Sequence, residues 1–125
     1  MNADLKQAEY SMMVQQFQEL QMALSQMQKH IEELGAIKDA LNEIGEVPEG
    51  KEVLIPLGAG LFAKGKYSGG DIVMNAGSGV CVEKSISESI ESVDRQKSEM
   101  EKAVFSTEYE MRALLGRIQQ MQAEK

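Results

Sequence analysis

Apolar and polar positions divide the chain into three stretches. In residues 1–46 the apolar side chains Tyr10, Met13, Phe17, Leu20, Leu24, Met27, Ile31, Leu34 and Leu41 recur mostly in alternating steps of three and four. That spacing is a heptad seam, with Tyr10, Phe17, Leu24 and Ile31 at a, and Met13, Leu20, Met27, Leu34 and Leu41 at d. Lys38 is the next a residue and is expected to break the seam. Ile37 and Ile44 lie one position earlier, so the stripe is expected to drift around the helix. Glu, Gln and Lys, all good helix formers, fill the other faces. The pattern predicts a helix over Asn2 to Gly45, roughly 65 Å long at 1.5 Å per residue. Gly45 is a natural stop, and Pro48 cannot continue the helix.

Residues 85–125 repeat the pattern. Ser85-Ile-Ser-Glu88 fits a capping box, and a seam follows through Ile86, Ile90, Val93, Lys97, Met100, Val104, Thr107, Met111, Leu114, Ile118 and Met121. The two arms are nearly equal in length, and the stretch between them can reverse the chain. The simplest pairing is an antiparallel coiled coil within one chain; coils between chains are the alternative.

The middle, 47–84, changes character. Val53, Leu54, Ile55 and Leu57 form an almost continuous apolar run, as in strands buried on both faces. Pro56 places that end at a sheet edge or bulge. Gly58-Ala-Gly60, Ser68-Gly-Gly70 and Gly77-Ser-Gly79 punctuate the rest. Strands are therefore predicted at 51–57, 61–67, 71–76 and 80–83, as two successive hairpins. So small a sheet buries little alone, and arms with one apolar stripe each cannot enclose it. Its burial is expected against other chains.

Composition narrows the function. Nine Met against three Phe, three Tyr and no Trp supply flexible rather than rigid apolar side chains. The net charge of −7 argues against nucleic acid or an anionic membrane as partner. The arms carry the excess: residues 1–46 hold three Lys/Arg against eight Asp/Glu, and 85–125 six against eight, while 47–84 balance at four each. The lone Cys81 permits no internal disulfide, as expected in a reducing cytoplasm. No apolar run reaches membrane-span length, and nothing resembles a signal peptide. One domain, 1–125, is expected.

No catalytic constellation emerges, and no cofactor, metal or enzymatic activity is expected. Gly58-Ala-Gly60-Leu-Phe-Ala63 matches a dinucleotide fingerprint as a string, but a strand follows where that motif requires a helix N-terminus. His30 stands beside the seam with no second ligand at metal spacing. The methionines say more. Met13, Met27, Met100, Met111 and Met121 occupy seam positions, whereas Met12, Val14 and Leu115 lie beside the seam near the free ends of the arms. An antiparallel hairpin brings those ends together as a tip with a broadened apolar patch. Such patches repack against varied partners. Gly116 weakens the helix there by about 1 kcal/mol relative to Ala.

The order of long helix, two hairpins and long helix, with Gly50-Lys-Glu-Val-Leu-Ile-Pro-Leu-Gly-Ala-Gly-Leu-Phe62 and Val73-Met-Asn-Ala-Gly-Ser-Gly-Val-Cys-Val-Glu-Lys84 between, resembles the α class of archaeal prefoldin subunits. The resemblance covers the whole chain, although few residues follow Met121 where a longer acidic tail would lie. It implies an α+β fold: a long antiparallel two-helix coiled coil joined by two β-hairpins that assemble into an oligomeric β-barrel. It further implies an ATP-independent holdase of two α and four β subunits, passing non-native clients to a group II chaperonin. On that reading Val53, Ile55, Leu61, Phe62, Ile72, Met74, Val80 and Val82 drive assembly. Leu5, Met12, Met13, Val14, Leu114, Leu115, Ile118 and Met121 touch clients. The rival is a structural filament or tether built through the same hairpins.

Overall fold

The computed structural model describes residues 2–124. Its elements follow the predicted order: helix α1 (Asn2–Gly45), strands β1 (Glu52–Gly58), β2 (Leu61–Lys66), β3 (Ile72–Gly77) and β4 (Val80–Lys84), and helix α2 (Ile86–Ala123). The protein divides into two compact units, Met1–Leu34 with Gln96–Lys125, and Gly35–Arg95.

The first unit is a closed two-helix core. Met13, Leu114 and Ile118 are buried against each other, and Tyr10, Val14, Phe17, Leu20 and Met121 pack around them. Gln122 Nε2 donates to Tyr10 Oη at 2.8 Å, and Thr107 Oγ1 to Met27 Sδ at 3.7 Å. Numbers rise along α1 as they fall along α2 across these pairs, so the helices run antiparallel within one chain. The a and d residues of α1 through Leu34 are all buried or half-buried, and so are Met100, Val104, Thr107, Met111, Leu114, Ile118 and Met121 of α2. Heptad spacing holds them inward because each small burial adds to one continuous seam.

In the second unit, Leu41 and Val93 are buried. The expected break at Lys38 does not occur. Lys38 is half-buried and its Nζ lies 2.9 Å from Asp94 Oδ1, while Ile37, expected to carry the stripe, is exposed. The seam thus passes through Lys38 to buried Leu41, and beyond it half-buried Ile44 rather than exposed Gly45 carries the stripe, as the expected drift has it. The long aliphatic stem lies along the apolar stripe and the ammonium meets a carboxylate on α2. At the start of α2, Glu88 N donates to Ser85 Oγ at 3.0 Å, and Ser85 Oγ donates to a Glu88 carboxylate oxygen at 3.0 Å. These bonds satisfy one helix-end donor and orient the first turn.

Each hairpin is a two-stranded antiparallel sheet, β1 with β2 and β3 with β4. Both reverse in the same way. The register shifts between Pro56 and Gly58, and again between Asn75 and Gly77. Ala59 and Gly60, and likewise Ser78 and Gly79, have positive φ, the conformation that matches a tight turn to strand twist. Asn75 Oδ1 accepts a bond from Gly77 N at 2.9 Å, closing the second bulge. The first ladder gains a residue beyond its strand ends, where Tyr67 N donates to Lys51 O at 2.8 Å.

Candidate functional site

In the first hairpin, residues directly opposite share a face. Val53 faces Gly65 and Ile55 faces Ala63 on one side; Leu54 faces Lys64 and Pro56 faces Phe62 on the other. A Cβ at Gly65 would lie 3.0 Å from Ile55 Cδ1, a tight contact that the end of this exposed side chain relieves by shifting a few tenths of an ångström. Ile55 lies over the bare backbone, still exposed, and Leu54, Leu57, Leu61 and Phe62 are exposed as well. In the second hairpin Ile72, Met74 and Val82 share a face, and Val73 and Cys81 lie on the other.

The eight sequence-predicted assembly residues therefore lie on both faces of the hairpins. Val53, Ile72 and Met74 are half-buried, and Ile55, Leu61, Phe62, Val80 and Val82 are exposed. Leu54, Leu57 and Val73, also exposed, were absent from that set. Their signal was present, since they alternate with its members in the same apolar runs. Within one chain the run in β1 is largely uncovered, with only Val53 half-buried. Leu57 is 66% exposed, and a continuous array of such residues is more than isolated surface apolarity.

The predicted tip residues separate into two kinds. Met13, Leu114 and Ile118 are buried in the helix-pair core, and Val14 and Met121 pack on it half-buried. Val14 does not stand free beside the seam. Leu5, at 69% exposure, Met12, at 61%, and Leu115 face outward. Phe105, Tyr109 and Met22 are exposed too and were not singled out, because single apolar residues off the seam carry no periodic signal. A groove of about 610 Å³ runs beside Leu20, Ala23, Ala113 and Leu114, with Gln16 and Tyr109 at its sides. Small residues next to the seam leave this hollow open.

His30 is exposed, 3.8 Å from Glu33, and Cys81 is exposed on β4. Among the described residues no three His, Cys, Asp or Glu side chains converge to hold a metal ion. No helix of the described chain is long and apolar enough to cross a membrane. Gly58–Gly60 joins two strands, so the fingerprint-like string has no helix to open.

Residues 13–125 match the family model described as prefoldin subunit. The chain is 29% identical to the prefoldin subunit alpha of Thermofilum pendens over 116 residues, covering 92% of this chain and 90% of that protein. It is 35% identical to the prefoldin subunit alpha of Methanopyrus kandleri over 78 residues, covering 62% of this chain and half of that protein. Its fold is similar to a chain in the filamentous prefoldin structure from Methanocaldococcus jannaschii, with a TM-score of 0.80 at 19% identity, covering 98% of this chain and 99% of that one. Two long antiparallel helices, two hairpins and these relatives agree: the chain belongs to the prefoldin subunit family, in its alpha class.

Proposed function

We propose that this chain is a subunit of an ATP-independent cytoplasmic holdase. In this reading residues 1–125 act as one domain whose hairpins join those of other subunits, two alpha with four beta, in a β-barrel. The arm ends hold non-native proteins and pass them to a group II chaperonin. The observation that supports client holding is the outward exposure of Leu5, Met12 and Leu115 around a core that is already closed. Leu5 and Met12 are mostly exposed, Leu115 is 40% exposed beside Phe17, Leu24 and Met111, and flexible apolar groups suit varied partners. Contacts of this size, at about 25 cal/mol per Å², hold a client only when several arms act together.

The test is light scattering of a denatured client. The parent assembly suppresses aggregation at near-stoichiometric amounts. Leu5→Ser, Met12→Ser and Leu115→Ser combined keep mass and lower the melting temperature only slightly, the cost coming from partly covered Leu115, yet lose most of the protection. Full protection by this variant places clients elsewhere. Assembly by a parent that gives no protection favours the tether.

A further inference from the structure

The two faces of the first hairpin are unequally covered. On one, Val53, Ala63 and Gly65 are half-buried; on the other, Leu54, Pro56 and Phe62 with Glu52, Lys64 and Lys66 are all exposed. A strand in a barrel turns one face inward, so hairpin-to-hairpin joining through Val53 and Ile55 leaves this second face bare. It has an apolar end beside the turn, at Leu54, Pro56 and Phe62, and a charged end with two lysines against one glutamate. Lys64 Nζ lies 4.0 Å from Glu52 Oε1, and Lys66 stands in no ion pair among the described residues. Helix α1 carries a matching surface in the same compact unit. Ala36 and Ile37 lie four and three residues before Ala40, so the three share one side of the helix, and all are exposed. Asp39 and Glu43 border that side, three residues after Ala36 and Ala40. Both are exposed, and neither is in an ion pair among the described residues.

We infer that the bare face of the first hairpin seats on this side of α1 in a second copy of the chain. The inference rests on the assembly reading and adds to hairpin-to-hairpin joining a contact of a different kind, strand face on helix. Charge complementarity identifies the occupant. The lysine end of the hairpin meets Asp39 and Glu43, while Leu54 and Phe62 cover Ile37 and the small Ala36 and Ala40. The two surfaces match in length: Glu52 to Pro56 spans roughly 13 Å of strand, and Ala36 to Glu43 roughly 10 Å of helix. Both stay exposed within one chain, so neither covers the other there. A two-fold pair of copies makes the contact twice, since each copy gives a hairpin and receives one.

The experiment measures the mass of the full chain in solution against concentration, alone and with a beta-class prefoldin subunit. In one variant, Lys64→Glu and Lys66→Glu make the hairpin end acidic. In the other, Asp39→Lys and Glu43→Lys make the helix side basic. All four positions are exposed, so helical circular dichroism equals the parent's. Each variant alone sets like charges against each other and associates at least about tenfold more weakly than the parent. Mixed in equal amounts, the two recover to within about threefold of the parent, because in a mixed pair every hairpin meets a helix of opposite sign. High salt removes most of the difference. Only a contact between copies is restored by mixing. Variants that stay weak when mixed overturn the inference. Recovery with the beta-class subunit but not on mixing assigns the face to that subunit and overturns it as well. If the parent stays a single chain in every condition, the assembly reading falls and the inference with it; if the parent assembles and both variants match it, only the inference falls.

Discussion

The helix pair and the hairpins use apolar residues in opposite ways. In the pair, Met13 is 4% exposed, and every a and d position from Tyr10 to Leu34 is buried or half-buried. In the hairpins, side chains of equal size face outward, and Phe62 is 58% exposed. Two helices are the minimum that closes a narrow stripe, whereas a lone two-stranded ribbon has two faces and nothing to put on either. One chain therefore satisfies its arms and leaves its strands unsatisfied. A sequence that tolerates this has its remaining partners outside the chain.

Four substitutions sharpen or break that contrast. The largest effect is expected from Leu24→Pro, which removes a helix bond in the middle of α1 and costs roughly 3 kcal/mol or more. Far-UV ellipticity falls steeply, while mass measurements still detect assembly through the hairpins. Loss of both together would make arm and hairpin one cooperative unit. Next is Gly65→Val, which sets a branched side chain where even a Cβ meets Ile55 at 3.0 Å. In a single chain the exposed Ile55 end can move aside, so the cost falls mainly where that face packs against another subunit, at up to roughly 1–3 kcal/mol. The substitution weakens assembly and leaves the helical signal intact; unchanged assembly would remove that face from the interface.

Ser85→Ala deletes the hydroxyl that accepts from Glu88 N and lowers stability by about 1 kcal/mol, read as a small drop in melting temperature with no change in mass. The smallest effect belongs to Asp94→Asn. Lys38 and Asp94 pair at 2.9 Å but are both more than a third exposed, so solvent screens them and the change is below about 1 kcal/mol. Thermal denaturation checks it. A much larger loss would mean that the seam needs this pair to hold its register.

Much of this was legible in the chain. Periodicity located α1 to the residue, since Gly45 and Pro48 end it sharply, and Ser85 with Glu88 marked the start of α2. Gly58-Ala-Gly60 and Gly77-Ser-Gly79 located both turns, because only the small set of residues that accept positive φ can reverse a ribbon so tightly. Lys38 was misread, for a physical reason. Residue type says that a lysine is polar, but whether its charge meets Asp94 depends on the register of the other helix, more than fifty residues away in sequence. Val14 shows the same limit. Its heptad position beside the seam left its exposure open, and the packing of Met13, Leu114 and Ile118 decides it. The division of the tip into core and outward residues follows from that packing alone.

The most direct test of the contrast is mass in solution, for the chain alone and mixed with a beta-class prefoldin subunit, with the parent and with Ile55→Asp. An aspartate in an apolar interface leaves an uncompensated charge and costs several kcal/mol, yet it is harmless on an exposed strand of a single chain. The account predicts that the parent forms assemblies heavier than one 13.8 kDa chain in at least one of these conditions. Ile55→Asp then runs as a single chain whose helical circular dichroism equals the parent's. A variant that assembles to the parent's mass, or a parent that stays a single chain in both conditions, would contradict it.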